Sequence, residues 1–102
     1  MISLVATDLD GTLLGSDGTI PRANVAALRE AHAAGVAIVV ATGRPTRWLA
    51  CLEPMADLHP HVIASNGAVL YDLAADRVLA AAAFDQASVA ELSASVKGAL
   101  PH

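Results

Sequence analysis

The stretch Ile2-Ser3-Leu4-Val5-Ala6-Thr7-Asp8-Leu9-Asp10-Gly11-Thr12-Leu13-Leu14 decides how this chain is read. A short, β-rich apolar run that stops at two carboxylates and a glycine describes a strand carrying acidic side chains to the rim of a sheet. Parallel α/β proteins hold their ligands at that rim. Asp8 and Asp10 lie two residues apart, so continued strand geometry predicts that they share one face and that Leu9 takes the other. Gly11 permits a sharp turn and a close backbone approach to whatever the carboxylates bind. Read alone, the Asp-Gly pair serves equally well as a plain turn. A Ca²⁺ loop is a poorer match, because Leu13 and Leu14 stand where further oxygen ligands would be needed and a strand, not a helix, precedes.

Working outward, residues 12–20 read as a loop or hairpin turning at Gly15-Ser16-Asp17-Gly18. Pro21 to Ala34 predicts a helix with Val25, Leu28 and Ala31 or His32 facing inward, ended by Gly35. The unbroken apolar run Val36–Ala41 predicts a strand covered on both faces. A strand, helix, strand order implies a right-handed parallel crossover, which sets Thr42-Gly43-Arg44 beside Asp8 and Asp10. Pro45 to Leu58 reads as a second helix with an apolar stripe of Trp48, Leu49, Leu52 and Met55, kinked or shortened at Pro54. Residues 62–64 form a third strand that ends at Ser65-Asn66-Gly67, and residues 68–72 and 77–83 alternate like a β-hairpin. Residues 86–97 read as helical, stopped by Gly98 and Pro101. The composition shifts near Phe84-Asp85, dividing a core part over 1–83 from a second element over 84–102.

Composition bounds the function. With 102 residues, 55% hydrophobic content and a mean hydropathy of +0.53, the chain is one small domain or part of a larger one and not a disordered segment. No window has the length and apolarity of a membrane span, and the start lacks the basic region of a signal peptide, so the expectation is a soluble cytoplasmic protein with no membrane partner. The single cysteine, Cys51, suits a reducing compartment. A net charge of -4 and three aromatic residues argue against a nucleic-acid partner.

Thr42-Gly43-Arg44-Pro45 combines a hydroxyl at a strand end with N–H groups entering a helix, the makings of an anion site; its plainer reading is a helix cap beside a solvated arginine. Asn66-Gly67 is also the preferred type I′ hairpin turn. Convergence favours the site, since three successive strands end in small polar residues and parallel topology puts those ends on one rim. His59 and His61 flank a proline and read as surface residues, and Cys51 reads as a small packed hydrophobe.

The three motifs D-L-D-G-T-L-L, V-V-A-T-G-R-P and A-S-N-G-A, in this order, resemble the haloacid dehalogenase (HAD) superfamily, and within it the Cof-type phosphatases with a mobile cap domain. The resemblance covers residues 1–83, and 84–102 is similar to the start of the cap. It implies an α/β fold: part of a Rossmann-like parallel sheet with a β-hairpin. It further implies a phosphatase acting on small phosphorylated metabolites, with Asp8 as nucleophile and Asp10 as general acid and base. Asp8 and Asp10 would also contribute to a Mg²⁺ site, while Gly11, Thr12, Thr42, Gly43, Arg44, Asn66 and Gly67 would line the phosphate and substrate. The family's downstream lysine and later G-D-x-x-N-D-like acidic motif are not among these residues, so the expectation is an incomplete, catalytically weak piece of a longer enzyme. The alternative is a non-catalytic half-domain that binds or self-associates through an open sheet edge.

Overall fold

The computed structural model describes residues 2–82 together with Ala90, Glu91, Ala94 and Ser95. Five strands form one sheet in the order β1 (Leu4–Asp8), β2 (Ala37–Ala41), β3 (His61–Ala64), β4 (Val69–Asp72) and β5 (Arg77–Ala81). The first three are parallel and the last two add antiparallel. The three expected parallel strands are therefore adjacent, and the expected hairpin follows them. The expected helix over 86–97 and the second element over 84–102 lie largely outside the described residues; the four positions given there are helical.

Between β1 and β2 runs helix α1 (Arg22–Ala33), entered from Pro21 and left through Ala34 and a left-handed Gly35 at φ +87°. Glycine is the residue that takes this conformation without a steric penalty, and it stops the helix there. Leu28 is buried, and Val25 and Ala31 pack against the core, as their spacing predicts.

The connection from β2 to β3 departs from the expected α-helix. It is two stretches of 3₁₀-helix, Thr46–Trp48 and Ala50–Leu58, separated at Leu49. Pro54 lacks the N–H that an α-helical bond would need, which favours the tighter winding. Leu49, Leu52, Met55 and Leu58 still reach the core, but Trp48 is 57% exposed and does not belong to the stripe. Arg29 of α1 grips Asp57 through two hydrogen bonds, at 2.5 and 3.1 Å, and reaches the Pro54 carbonyl at 3.3 Å, tying the two connections together.

The core occupies one face of the sheet. Ile38 and Val40 of β2 and Val62 and Ala64 of β3 are buried with Leu9, Leu13, Leu52 and Met55, and burying each larger side chain contributes about 1.5–3 kcal/mol. Register alternates the other set outward: Leu4, Ala6 and Asp8 of β1 stand beside Ala37, Val39 and Ala41 of β2. Among the described residues that second face is largely bare, with Leu4 52% exposed. The double cover expected for Val36–Ala41 is thus corrected. Among the described residues, α1 and the 3₁₀ segments supply cover for one face alone, and β1 ends the sheet. No described helix is long and apolar enough to cross a membrane.

Candidate active site

Register brings the three motifs together. Asp8 is level with Ala41, and Ala41 with Ile63, so the three strands end abreast. The Thr42 N–H donates to the Ile63 carbonyl at 2.9 Å, the Ser65 N–H to Arg44 at 2.9 Å and the Asn66 N–H to Thr42 at 3.2 Å. These bonds lock the loop after β2 onto the loop after β3. Around them lies an open cleft of about 370 Å³ lined by Asp8, Ala41, Thr42, Gly43, Ile63, Asn66 and Gly67. Asp8, Thr42 and Asn66 share one rim.

Each element has a local cause. The Asp8 carboxylate accepts the Leu9 N–H through one oxygen at 2.9 Å, leaving its second oxygen for a ligand. Thr42, 6% exposed, accepts the Arg44 N–H on its hydroxyl oxygen at 3.1 Å, so the hydroxyl proton is free to be donated. Ser65, Asn66 and Gly67 are three consecutive left-handed residues at φ +52°, +55° and +96°. Such a run is costly for non-glycine residues and persists where the surroundings hold it. The Asn-Gly turn does join an antiparallel hairpin, β3 to β4, and it also lines the cleft. Gly43 is fixed by contact: a Cβ there would sit 2.9 Å from the Asn66 Oδ1 atom.

Asp10 does not follow Asp8 onto the strand face. β1 stops at Asp8, and the chain enters a wide turn in which Asp10 is extended, Gly11 is left-handed at φ +77°, and the Leu14 N–H returns to the Leu9 carbonyl at 3.0 Å. The strand alternation that would pair the two carboxylates ends before it can act. Arg44 captures the Asp10 carboxylate instead, with Nε at 3.0 Å from Oδ2 and NH2 at 2.7 Å from Oδ1. The remaining guanidinium nitrogen donates to the Trp48 carbonyl at 3.0 Å and to the Cys51 sulfur at 3.5 Å. The hydrogen bonds from Arg44 hold the Asp10 carboxyl below its ordinary value and raise that of Arg44 in return. Neither residue of the pair lines the cleft.

Thr12 lines a different cavity, on the α1 side of β1 with Val5, Thr7 and Asn24, and Gly11 lies in the turn, apart from the cleft. Sequence reasoning passed over Trp48 and Cys51 as partners of Arg44. Their spacing of four and seven residues from it was the available signal, since helical winding stacks such positions. At the opposite end of the strands, His32, His59 and His61 border a separate cavity. Among the described residues no three His, Cys, Asp or Glu side chains are grouped to hold a metal. The Asp8 carboxylate and the carbonyls of its turn are hard oxygen donors, the kind Mg²⁺ takes, and they fit that ion in kind while supplying part of an octahedral shell.

The model of the haloacid dehalogenase-like hydrolase family matches residues 5–99. Phosphatase YwpJ of Bacillus subtilis is 42% identical over 72 residues, covering 70% of this chain and 25% of its own length. The 5-amino-6-(5-phospho-D-ribitylamino)uracil phosphatase YcsE of the same organism is 38% identical over 71 residues, covering 70% of this chain and 28% of its own. The solved structure of a HAD-superfamily phosphatase from Bacteroides thetaiotaomicron superimposes with a TM-score of 0.81 at 27% identity, covering 96% of this chain and 36% of that one. The chain spans about a quarter of the length of these curated relatives. Motifs, fold and similarity agree: the chain belongs to the haloacid dehalogenase-like hydrolases.

Proposed function

We propose that these residues form the nucleophile-bearing part of a cytoplasmic, Mg²⁺-dependent phosphoric monoester hydrolase acting on small phosphorylated metabolites. One observation carries the reading: the Asp8 carboxylate stands at a cleft whose other walls are the Thr42 hydroxyl, the Gly43 backbone and the Asn66-Gly67 turn. Carboxylate and phosphate repel, so the donors must be in place before the nucleophile can act. Thr42 and the Gly43 N–H offset the charge on the phosphoryl oxygens. The free oxygen of Asp8 attacks phosphorus, the bond from phosphorus to the ester oxygen breaks, and Asp10 gives its proton to the departing alcohol. Asp10 then takes a proton from water as that water attacks the aspartyl-phosphate, releasing inorganic phosphate and restoring Asp8.

Asp8 and the Asp10 backbone carbonyl would contribute to holding Mg²⁺, whose bound charge lowers the repulsion between nucleophile and phosphate. Under this reading the family's lysine and later acidic motif come from outside these 102 residues. The 102-residue chain by itself then binds Mg²⁺ weakly and hydrolyses phosphate esters at a negligible rate. The test is phosphate-ester hydrolysis by a polypeptide carrying these residues and the missing motifs. Turnover should be lost in Asp8→Asn, and undiminished turnover in that variant would end the aspartyl-phosphate reading.

A second reading is favoured by the bare edge and face of β1, where Leu4 is 52% exposed. In it the chain is an assembly module pairing β1 with β1 of a second copy. Sedimentation showing a dimer that Leu4→Lys disrupts, together with no anion binding at the cleft, would favour it over the first.

A further inference from the structure

Arg44 is spoken for. All three of its guanidinium nitrogens have partners, two of them on Asp10. A residue set aside for substrate would keep donors directed into the cleft, yet neither Arg44 nor Asp10 lines it. The Asp10 carboxylate accepts a guanidinium hydrogen bond on each oxygen and does not line the cleft, so in this arrangement it faces Arg44 and not a leaving alcohol. The guanidinium belongs to the residue after Gly43, whose backbone forms the anion wall. A phosphate in the cleft would lie one residue along the chain from this cation, whose side chain is 28% exposed and whose partner carboxylate is 60% exposed. Exposed ion pairs are held weakly and exchange partners readily. A doubly charged oxyanion accepts the same two-pronged contact that a carboxylate does.

We propose that Arg44 is a positioning residue that latches Asp10 away from the cleft and exchanges it for an oxyanion, freeing the Asp10 carboxyl when a phosphoryl group arrives. The inference rests on the reading of the cleft as a phosphate site and adds to it the order of events. No covalent step is involved; one ion pair is traded for another.

The test is a double-mutant cycle read by binding, with inorganic phosphate titrated into the 102-residue chain and followed by amide and arginine side-chain NMR. In the wild-type chain phosphate should shift the Arg44 Nε–H resonance in step with the amides of Thr42 and Gly43. Asp10→Asn, which frees the guanidinium, should tighten phosphate binding by about tenfold, as expected when a charged two-pronged partner becomes available. In an Arg44→Gln background that gain should shrink to about twofold, the residue of simple charge removal. A pair that merely neutralises Asp10 gives the opposite sign, because without Arg44 the bare carboxylate repels phosphate more and its removal then matters more. A gain as large or larger in the Arg44→Gln background overturns the latch, as does an Arg44 resonance that stays fixed at saturating phosphate. Should Arg44→Gln fail to fold, Arg44→Lys keeps the charge without the fork and should give a gain between those of the other two backgrounds; a gain equal to wild type overturns the proposal. Absence of phosphate binding in every variant sinks the cleft reading and the latch with it, whereas binding with the wrong coupling sinks the latch alone.

Discussion

Two arginine–aspartate pairs of nearly the same geometry do different things in this molecule. Arg29 and Asp57 meet at 2.5 Å and join α1 to the 3₁₀ segment after β2; Arg44 and Asp10 meet at 2.7 Å and join the loop after β2 to the turn after β1. Both are two-pronged, and both depress the acid and raise the base through the same hydrogen bonds. The difference is what surrounds them. The first staples two connections on the covered face of the sheet, whereas the second stands beside three strand ends where donors and a carboxylate converge. Ion-pair chemistry is therefore no guide to function here, and position at the rim is.

The comparison breaks most sharply at Asp8, the proposed nucleophile. In a polypeptide carrying the whole catalytic set, Asp8→Asn should lower turnover of a chromogenic phosphate ester by about a thousandfold or more, since the amide keeps the shape and loses the nucleophile. Asp57→Asn should leave turnover within about twofold, because surface charges away from a reacting centre contribute little. Comparable losses from both would erase the distinction between the rim and the staple.

Gly43→Ala comes next. The added methyl meets the Asn66 side-chain oxygen at 2.9 Å, and displacing that side chain should cost about 1 kcal/mol in urea unfolding. The same variant should weaken phosphate binding. A neutral effect on both would mean that the close approach does not hold the rim together.

A third contrast sets the hairpin against the rim. Tyr71, buried at 7% exposure, donates its hydroxyl to Asp76, and this bond with burial pushes its pKa up to about 12 from 10.0. A pKa raised in the folded state contributes stability that is complete below the unfolded value and fades as pH rises through the folded one. Stability should therefore fall between pH 10 and about 12. Tyr71 is the chain's one tyrosine, so phenolate absorbance reports it directly. Ionisation at the ordinary value in the folded chain would contradict the contact.

The smallest effect belongs to the staple. Arg29→Gln should lower Tm slightly, and the decrease should vanish at high salt. The depressed carboxyls of Asp57 and Asp10 add stability that is fully present above the unfolded value of 3.8 and lost as pH falls below it, so neither pair should make stability vary with pH near neutrality.

Much of this was legible in the residues. Apolar runs ending in Asp8, Thr42 and Asn66, with a helix-length crossover between the first two, were enough to place β1, β2 and β3 side by side with one polar rim. Local patterning and the parallel pairing of strands joined by a crossover are short-range rules, and they hold here. The turn after β1 was not legible, because alternation presumes a strand that continues and this one stops at Asp8. Nor was the pairing of Arg44 with Asp10, 34 residues apart, since partner choice depends on where two loops meet in space. The 3₁₀ winding of 50–58 was hidden for another reason. Leu49, Leu52, Met55 and Leu58 keep a three-residue spacing that suits either helix, and Pro54 tips the balance.

The central claim, that the rim of β1, β2 and β3 is an oxyanion site, is tested most directly by titrating inorganic phosphate into the isotopically labelled 102-residue chain and mapping the amides that move. The account predicts shifts at Leu9, Thr42, Gly43, Asn66 and Gly67, joined by Asp10 and Arg44 as their ion pair is exchanged, with none near Arg29 and Asp57. Shifts gathered instead around His32, His59 and His61 at the far end of the strands, or at the Arg29–Asp57 pair, would contradict it.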